Sequence, residues 1–121
     1  MGRPSHVRTA VSGLLDERHS WTVDDAHAAL RARGVRADRA SVFRALTRLC
    51  EDGEAARFEL GDGRARFERR GSHHEHIVCS HCGVVAAVPG CLVDERAVAR
   101  RTGFAVTGHQ LTLTGRCRDC G

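Results

Sequence analysis

The chain has 121 residues, 41% of them hydrophobic, which is enough for one ordinary domain or two small lobes with cores of their own. Its formal net charge is +4, and all 19 basic side chains are arginine, whose planar fork suits phosphate and guanine edges better than a lysine does. No apolar run follows the Met1-Gly2-Arg3-Pro4 opening and no stretch has the length of a bilayer span, so neither a secretory signal nor a membrane helix is expected, and the protein is expected to be soluble and cytoplasmic.

Taken in chain order, His6 to Glu17 spaces Val7, Ala10, Val11, Leu14 and Leu15 along one stripe and predicts a first helix. Thr22, three residues before Asp25, opens an approximate capping box for a second helix over Val23 to Arg33, which Gly34 can end. Asp38 is a good N-cap for a third helix, Arg39 to Glu51. This helix carries Val42, Leu46, Leu49 and Cys50 on one face and Ser41, Arg44 and Arg48 on the other. Two helices joined by a short glycine-containing turn, the second presenting arginines outward, fit a helix-turn-helix, against the alternative of a surface helix with solvated charges.

Arg57-Phe58-Glu59-Leu60 and Arg64-Ala65-Arg66-Phe67-Glu68 alternate apolar with charged around Gly61-Asp62-Gly63, which predicts a hairpin. Three helices and a basic-tipped hairpin make a winged helix, with Arg64 and Arg66 expected at the DNA backbone. Up to Arg70 there are 14 arginines against 11 acids, and beyond it 5 against 4, which places any nucleic-acid surface in the first part. Gly71-Ser72 reads as a joint. Strands are expected at His76-Ile77-Val78, Val84 to Val88 and Phe104 to Thr114. A helix within Cys91 to Thr102 has Leu92, Val98 and Ala99 available for a buried face.

The densest chemistry lies in His73-His74-Glu75-His76-Ile77-Val78-Cys79-Ser80-His81-Cys82, followed after 34 residues by Cys117-Arg118-Asp119-Cys120. Two Cys-x-x-Cys knuckles complete a closed four-thiolate zinc site, Cys79, Cys82, Cys117 and Cys120, with no open position for a substrate. That points to structural zinc over catalytic zinc, over a disulfide framework and over a thioredoxin-like redox pair. Cys50 reads as a small core hydrophobe, and Cys91 as a buried thiol, with a redox-sensitive thiol as the alternative. If residues 73 to 76 are extended, His73 and Glu75 face one way and His74 and His76 the other. One short segment then serves two ions: His74 and His76 are expected with Glu68 and His19, and His73 and Glu75 with Asp94 and His109. An incidental histidine-rich loop is the alternative.

Ala40-Ser41-Val42-Phe43-Arg44-Ala45-Leu46 resembles the recognition-helix motif of the ferric uptake regulator family. The run from His73 to Gly83 resembles that family's metal-binding signature, and Gly103-Phe104, His109 and Gly115-Arg116-Cys117 also fit. The resemblance implies a dimeric, metal-dependent transcriptional regulator. It assigns structural zinc to the four cysteines, a hinge sensing site to Glu68, His74 and His76, and a further site to His73, Glu75, Asp94 and His109. The histidine expected before the second helix falls on Ser20, with His19 beside it as the candidate ligand. Phe43 stands where the family usually has tyrosine; its ring still reaches a thymine methyl but forgoes a hydroxyl contact. Arg69 and Arg70 occupy the stretch where some zinc-sensing members carry a cysteine, and Glu68 stands where peroxide-sensing members commonly have aspartate. Nitrogen and oxygen ligands accept Fe(II), Mn(II), Ni(II) or Zn(II), with affinity order favouring zinc over iron.

The expectation is therefore an α+β chain, with a winged helix-turn-helix domain over 1–70 and a small α/β metal-binding dimerisation domain over 71–121. Its function is expected to be that of a homodimeric repressor, not an enzyme, binding a palindromic double-stranded operator through Ser41, Phe43, Arg44, Arg48, Arg64 and Arg66. It carries structural Zn(II) and a regulatory Zn(II) or Fe(II), less readily Mn(II) or Ni(II). A zinc-dependent hydrolase and a zinc-stapled protein-interaction module are the competing classes. The former lacks a His-Glu-x-x-His helix, and the latter predicts that Arg44→Ala leaves function intact.

Overall fold

The computed structural model describes residues 6–121; the Met1–Pro4 opening lies outside the described residues. The chain divides into two compact units, Met1–Gly71 and Ser72–Gly121, one residue beyond the boundary expected at 70.

In the first unit, α1 (His6–Leu14) buries Val7, Val11 and Leu14, which recur at helical spacing on one stripe. The short strand β1 (Trp21–Thr22) leads into α2 (Val23–Ala32). The capping box closes in both directions: the Asp25 amide donates to Thr22 Oγ1 at 3.0 Å, and the Thr22 amide donates to Asp25 Oδ2 at 3.1 Å. Gly34, at φ +75°, lets the chain turn back so that the Gly34 and Val35 amides reach the Arg31 and Leu30 carbonyls. That double bond pattern needs a left-handed residue, which glycine adopts without steric cost. Helix α3 (Arg39–Glu51) begins where Asp38 accepts the Ser41 amide at 2.7 Å, and it buries Val42, Ala45, Leu46 and Leu49.

The hairpin β2 (Ala55–Glu59) and β3 (Ala65–Arg69) follows, with Arg57 opposite Phe67, and β1 adds to the free side of β3 to give the order β1-β3-β2. Beneath this sheet the three helices close a core running from Val7 to Phe67, with Cys50 packed at its margin as a small apolar residue. Two points differ from the sequence expectation. The first helix ends at Leu14 and continues to residue 17 only as turns. Strand β1 was not foreseen, because two residues acquire strand character only by pairing with β3.

The second unit holds β4 (His74–Cys79), β5 (Val85–Pro89), α4 (Glu95–Thr102) and β6 (Thr112–Gly115), with sheet order β5-β4-β6. A tight turn joins β4 to antiparallel β5, whereas β6 runs parallel to β4 and needs the crossover that α4 supplies. The register sets Cys79 opposite Gly115, and this delivers Cys117 to the end of β4 that carries the first knuckle.

Here the expectations change in two places. The alternation from Phe104 to Thr114 forms a strand only from Thr112, because the parallel pairing with β4 begins there. Helix α4 starts at Glu95 and has no buried residue, and Leu92 and Val98 are 54% and 42% exposed rather than buried. Cys79 is the one apolar side chain of this unit that is buried among the described residues.

Candidate metal centres

At the end of β4 the turn Cys79–Gly83 folds back on itself: the Gly83 amide donates to the Cys79 carbonyl at 2.9 Å, with Gly83 at φ +80°. One sulfur from each of Cys79, Cys82, Cys117 and Cys120 lies within 4.8 Å of the others, and Cys82 Sγ and Cys117 Sγ are 3.7 Å apart. Four sulfurs bound at about 2.3 Å around a tetrahedral zinc are separated by roughly 3.8 Å, so the group fits that ion.

Cys79 Sγ accepts the amides of His81, Cys82 and Cys117, each at 3.4 Å. The Cys82 and Cys117 amides are the main cause that brings its thiol down to about 5, against the burial that opposes ionisation. Cys120 is instead pushed up to about 12, first by its hydrogen bond with Cys117 and then by burial. One thiolate is thus prepared by the backbone, while a neighbouring thiol resists a second negative charge. A divalent cation removes that repulsion and binds the thiolate forms.

A second group forms on one face of β4 and beyond its start. Glu75 is 1% exposed, and its Oε2 lies 2.9 Å from His109 Nε2, 3.3 Å from His73 Nε2 and 3.1 Å from the Leu92 amide that donates to it. Burial pushes the Glu75 carboxyl up, but the bonds from His109, Leu92 and His73 together outweigh it and hold the group at about 2. His109 is raised above the usual imidazole range, first by Glu95, whose Oε2 lies 2.7 Å from Nδ1, and then by Glu75.

One donor atom each of His73, Glu75, Cys91 and His109 lies within 4.8 Å of the others. This group differs from the expected set. Asp94 is the N-cap of α4, its carboxylate accepting the Ala97 amide at 3.1 Å, and Cys91 takes the place that was expected for it. Cys91 is also exposed, not buried as the sequence suggested, because it sits in the connection before α4 and not on a packed face. Glu95 went unrecognised; an acid in the first turn beside the Asp94 cap was the available signal. A carboxylate on the far nitrogen of a ligating histidine fixes its tautomer and orientation.

His74 and His76 project from the opposite face of β4, their ring centroids 4.8 Å apart. His74 Nδ1 lies 3.0 Å from the Ser72 carbonyl, which favours the tautomer that leaves Nε2 as an acceptor. Glu68, on β3, is buried, and His19 is exposed in the segment before β1. His74 and His76 therefore belong to a paired strand, and His73 directly precedes it. The adjacent placement of His74, Glu75 and His76 on that strand also differs from the helical arrangement of a zinc hydrolase.

On α3, the buried Val42-Ala45-Leu46-Leu49 stripe leaves Phe43, Arg44 and Arg48 exposed and Ser41 half-buried. Phe43 is 42% exposed. Arg44 Nη2 donates to Ser41 Oγ at 3.1 Å, and Arg48 lies 3.5 Å from Glu51. In the hairpin, Arg64 lies 3.7 Å from Asp24 of α2, a loose exposed pair. Arg66, expected with Arg64 at the DNA backbone, is largely covered and pairs with Asp62 at 2.9 Å.

The ferric uptake regulator family model matches residues 2–114. A ferric uptake regulation protein of Bordetella parapertussis is 34% identical over 108 residues, spanning 87% of this chain and 77% of its own. The ferric uptake regulator of Vibrio cholerae superposes with a TM-score of 0.78 at 25% identity, covering 95% of this chain and 92% of that one. FurB of M. tuberculosis, a zinc uptake regulator, is 30% identical, with a TM-score of 0.53 over 94% of this chain and 92% of its own. A winged helix followed by a small sheet closed by four cysteines is the build of a metal-responsive transcription regulator, not of an enzyme. The chain belongs to the ferric uptake regulator family.

Proposed function

We propose that the protein is a homodimeric repressor whose affinity for a palindromic operator is set by a divalent metal, Zn(II) or Fe(II), at a regulatory site drawing on Glu68, His74, His76 and His19. The observation that carries this reading is the His74–His76 pair. Two imidazoles stand side by side on one face of β4, directly after the division at Gly71–Ser72, with His74 oriented by the Ser72 carbonyl. Ligands contributed from both sides of that division bind an ion together in only one arrangement. Metal then shifts the population toward that arrangement, and operator affinity rises by the differential binding. The second group, His73, Glu75 and His109, is read as a further metal site, and the four cysteines as structural zinc.

Regulators of this family bind DNA and form dimers. The exposed apolar side chains Val84, Leu92, Val98, Phe104 and Leu113 of the second unit support self-association through that unit. Repression follows if the bound dimer occupies the promoter. The DNA face is Ser41, Phe43, Arg44 and Arg48 on α3, with Arg64 and Arg66 from the hairpin.

A gel-shift titration at buffered free Zn(II) and Fe(II) tests the reading. Operator binding is expected to tighten with one of these ions and to lose that response in His76→Ala; equal affinity with and without metal overturns it. Arg44→Ala is expected to weaken specific binding about 5–150-fold, corresponding to roughly 1–3 kcal/mol for a base contact. Unchanged binding in that variant favours a zinc-stapled interaction module instead.

A further inference from the structure

Cys91 lies in the connection between β5 and α4, and the backbone there is fastened to the buried carboxylate of β4 by the Leu92 amide, which donates to Glu75 Oε2 at 3.1 Å. The thiol is held over the same group: Cys91 Sγ is 3.7 Å from His109 Nε2. Around a tetrahedral ion with zinc-like bond lengths, sulfur and nitrogen ligands are about 3.6 Å apart, and nitrogen and oxygen ligands about 3.4 Å. The Cys91–His109 distance of 3.7 Å and the His73–Glu75 distance of 3.3 Å match these edges, while His109 and Glu75, 2.9 Å apart in a hydrogen bond, are closer than ligands of one ion and would separate on binding it. His109 is oriented from behind by Glu95 at 2.7 Å, and Asp94, the neighbouring acid, is engaged by the Ala97 amide.

We propose that Cys91 is a thiolate ligand of the metal held by His73, Glu75 and His109, making this a mixed sulfur, nitrogen and oxygen site that selects zinc or cobalt(II) over manganese. The inference rests on the reading of that group as a metal site and adds the residue that determines its selectivity. A thiolate favours borderline-soft ions, whereas manganese prefers carboxylate, carbonyl and water. The competing role for Cys91 is purely local, since its Sγ also lies 3.3 Å from the Val93 carbonyl and can donate there.

The test uses full-length protein with its four-cysteine site filled with zinc, titrated with Co(II) past two equivalents. Thiolate-to-cobalt charge transfer in the near ultraviolet reports a sulfur ligand, and the His74–His76 face contributes no sulfur to that band. Wild type is expected to develop the band. Cys91→Ser and Cys91→Asp are expected to lose it while still binding cobalt. Zn(II) affinity in Cys91→Ser is expected to fall at least on the order of 10–100-fold, the range seen when only an outer partner of a ligand is removed. Mn(II) affinity in Cys91→Asp is expected to hold or rise.

Cobalt bound at this site in wild type without the band, or a band that persists in both Cys91 variants, overturns the thiolate. His109→Ala separates this outcome from failure of the site itself. If that variant binds as much cobalt and zinc as wild type, His73, Glu75 and His109 hold no metal, and the reading on which the inference rests falls with it.

Discussion

The first unit gathers apolar side chains from three helices and a hairpin into one core, while the second, with a larger share of strand, buries almost none of its own. Val11, Val42, Leu46, Leu49 and Ala55 are fully covered in the first unit; in the second, Val84, Leu92, Val98, Phe104 and Leu113 are exposed. Burying such surface is what normally offsets the entropy of ordering a chain. A fragment of about 50 residues that leaves it open needs another source of stability, of the kind that a metal staple or a second copy can supply. The same residue type therefore sits in different surroundings: Cys50 packs against the core, and Cys79 belongs to the four-cysteine group.

The comparison breaks most visibly at the staple. Cys79→Ser, or stripping metal with a strong chelator, is expected to unfold the second unit while the first keeps its dispersed amide resonances; structural zinc sites contribute on the order of 10 kcal/mol. A variant whose second unit keeps native resonances without metal shows that the sheet stands by itself.

The next largest effect is expected in the other unit. Leu46→Ala should cost about 2–5 kcal/mol in denaturant unfolding of the first unit. Val98→Asp, at a site with no core to disturb, should leave that unfolding within about 0.5 kcal/mol and weaken self-association in sedimentation instead. If Val98→Asp destabilises the first unit as much as Leu46→Ala does, the division of labour is wrong.

The smallest effect belongs to a surface pair. Asp62, in the hairpin turn, is held at about 2 by its hydrogen bond with Arg66 and by the Arg64 amide. A depressed carboxyl contributes stability above its unfolded value, near 4, that is lost as pH falls toward 2. The Asp62 carboxyl carbon is thus expected to titrate near 2 by NMR, and to return toward 4 in Arg66→Ala. A midpoint unmoved by that variant shows that Arg66 is available to other partners.

Much of the first unit was legible because its signals are local. Asp38 followed by the Val42-Leu46-Leu49 stripe defined α3 at both ends, and Thr22 with Asp25 defined the start of α2. The four cysteines were equally legible, since a Cys-x-x-Cys turn brings two thiols together without help from the rest of the chain. What escaped depends on distant pairing. Trp21 and Thr22 are a strand only beside β3, and Cys91 joins His109 only because the Leu92 amide finds Glu75. Asp94 was the more obvious ligand by residue type, and its carboxylate caps the N-terminus of α4.

The parallel register of β6 beside β4 also sets an order of events during synthesis. A ribosome that has completed β5 has made Cys79 and Cys82 but neither of the thiols that close the cage, and the strand that carries them into place follows a long crossover. By then every residue that the core of the first unit requires has been synthesised. The unit proposed to read DNA can therefore mature while translation continues, whereas the unit proposed to bind metal waits for its last strand.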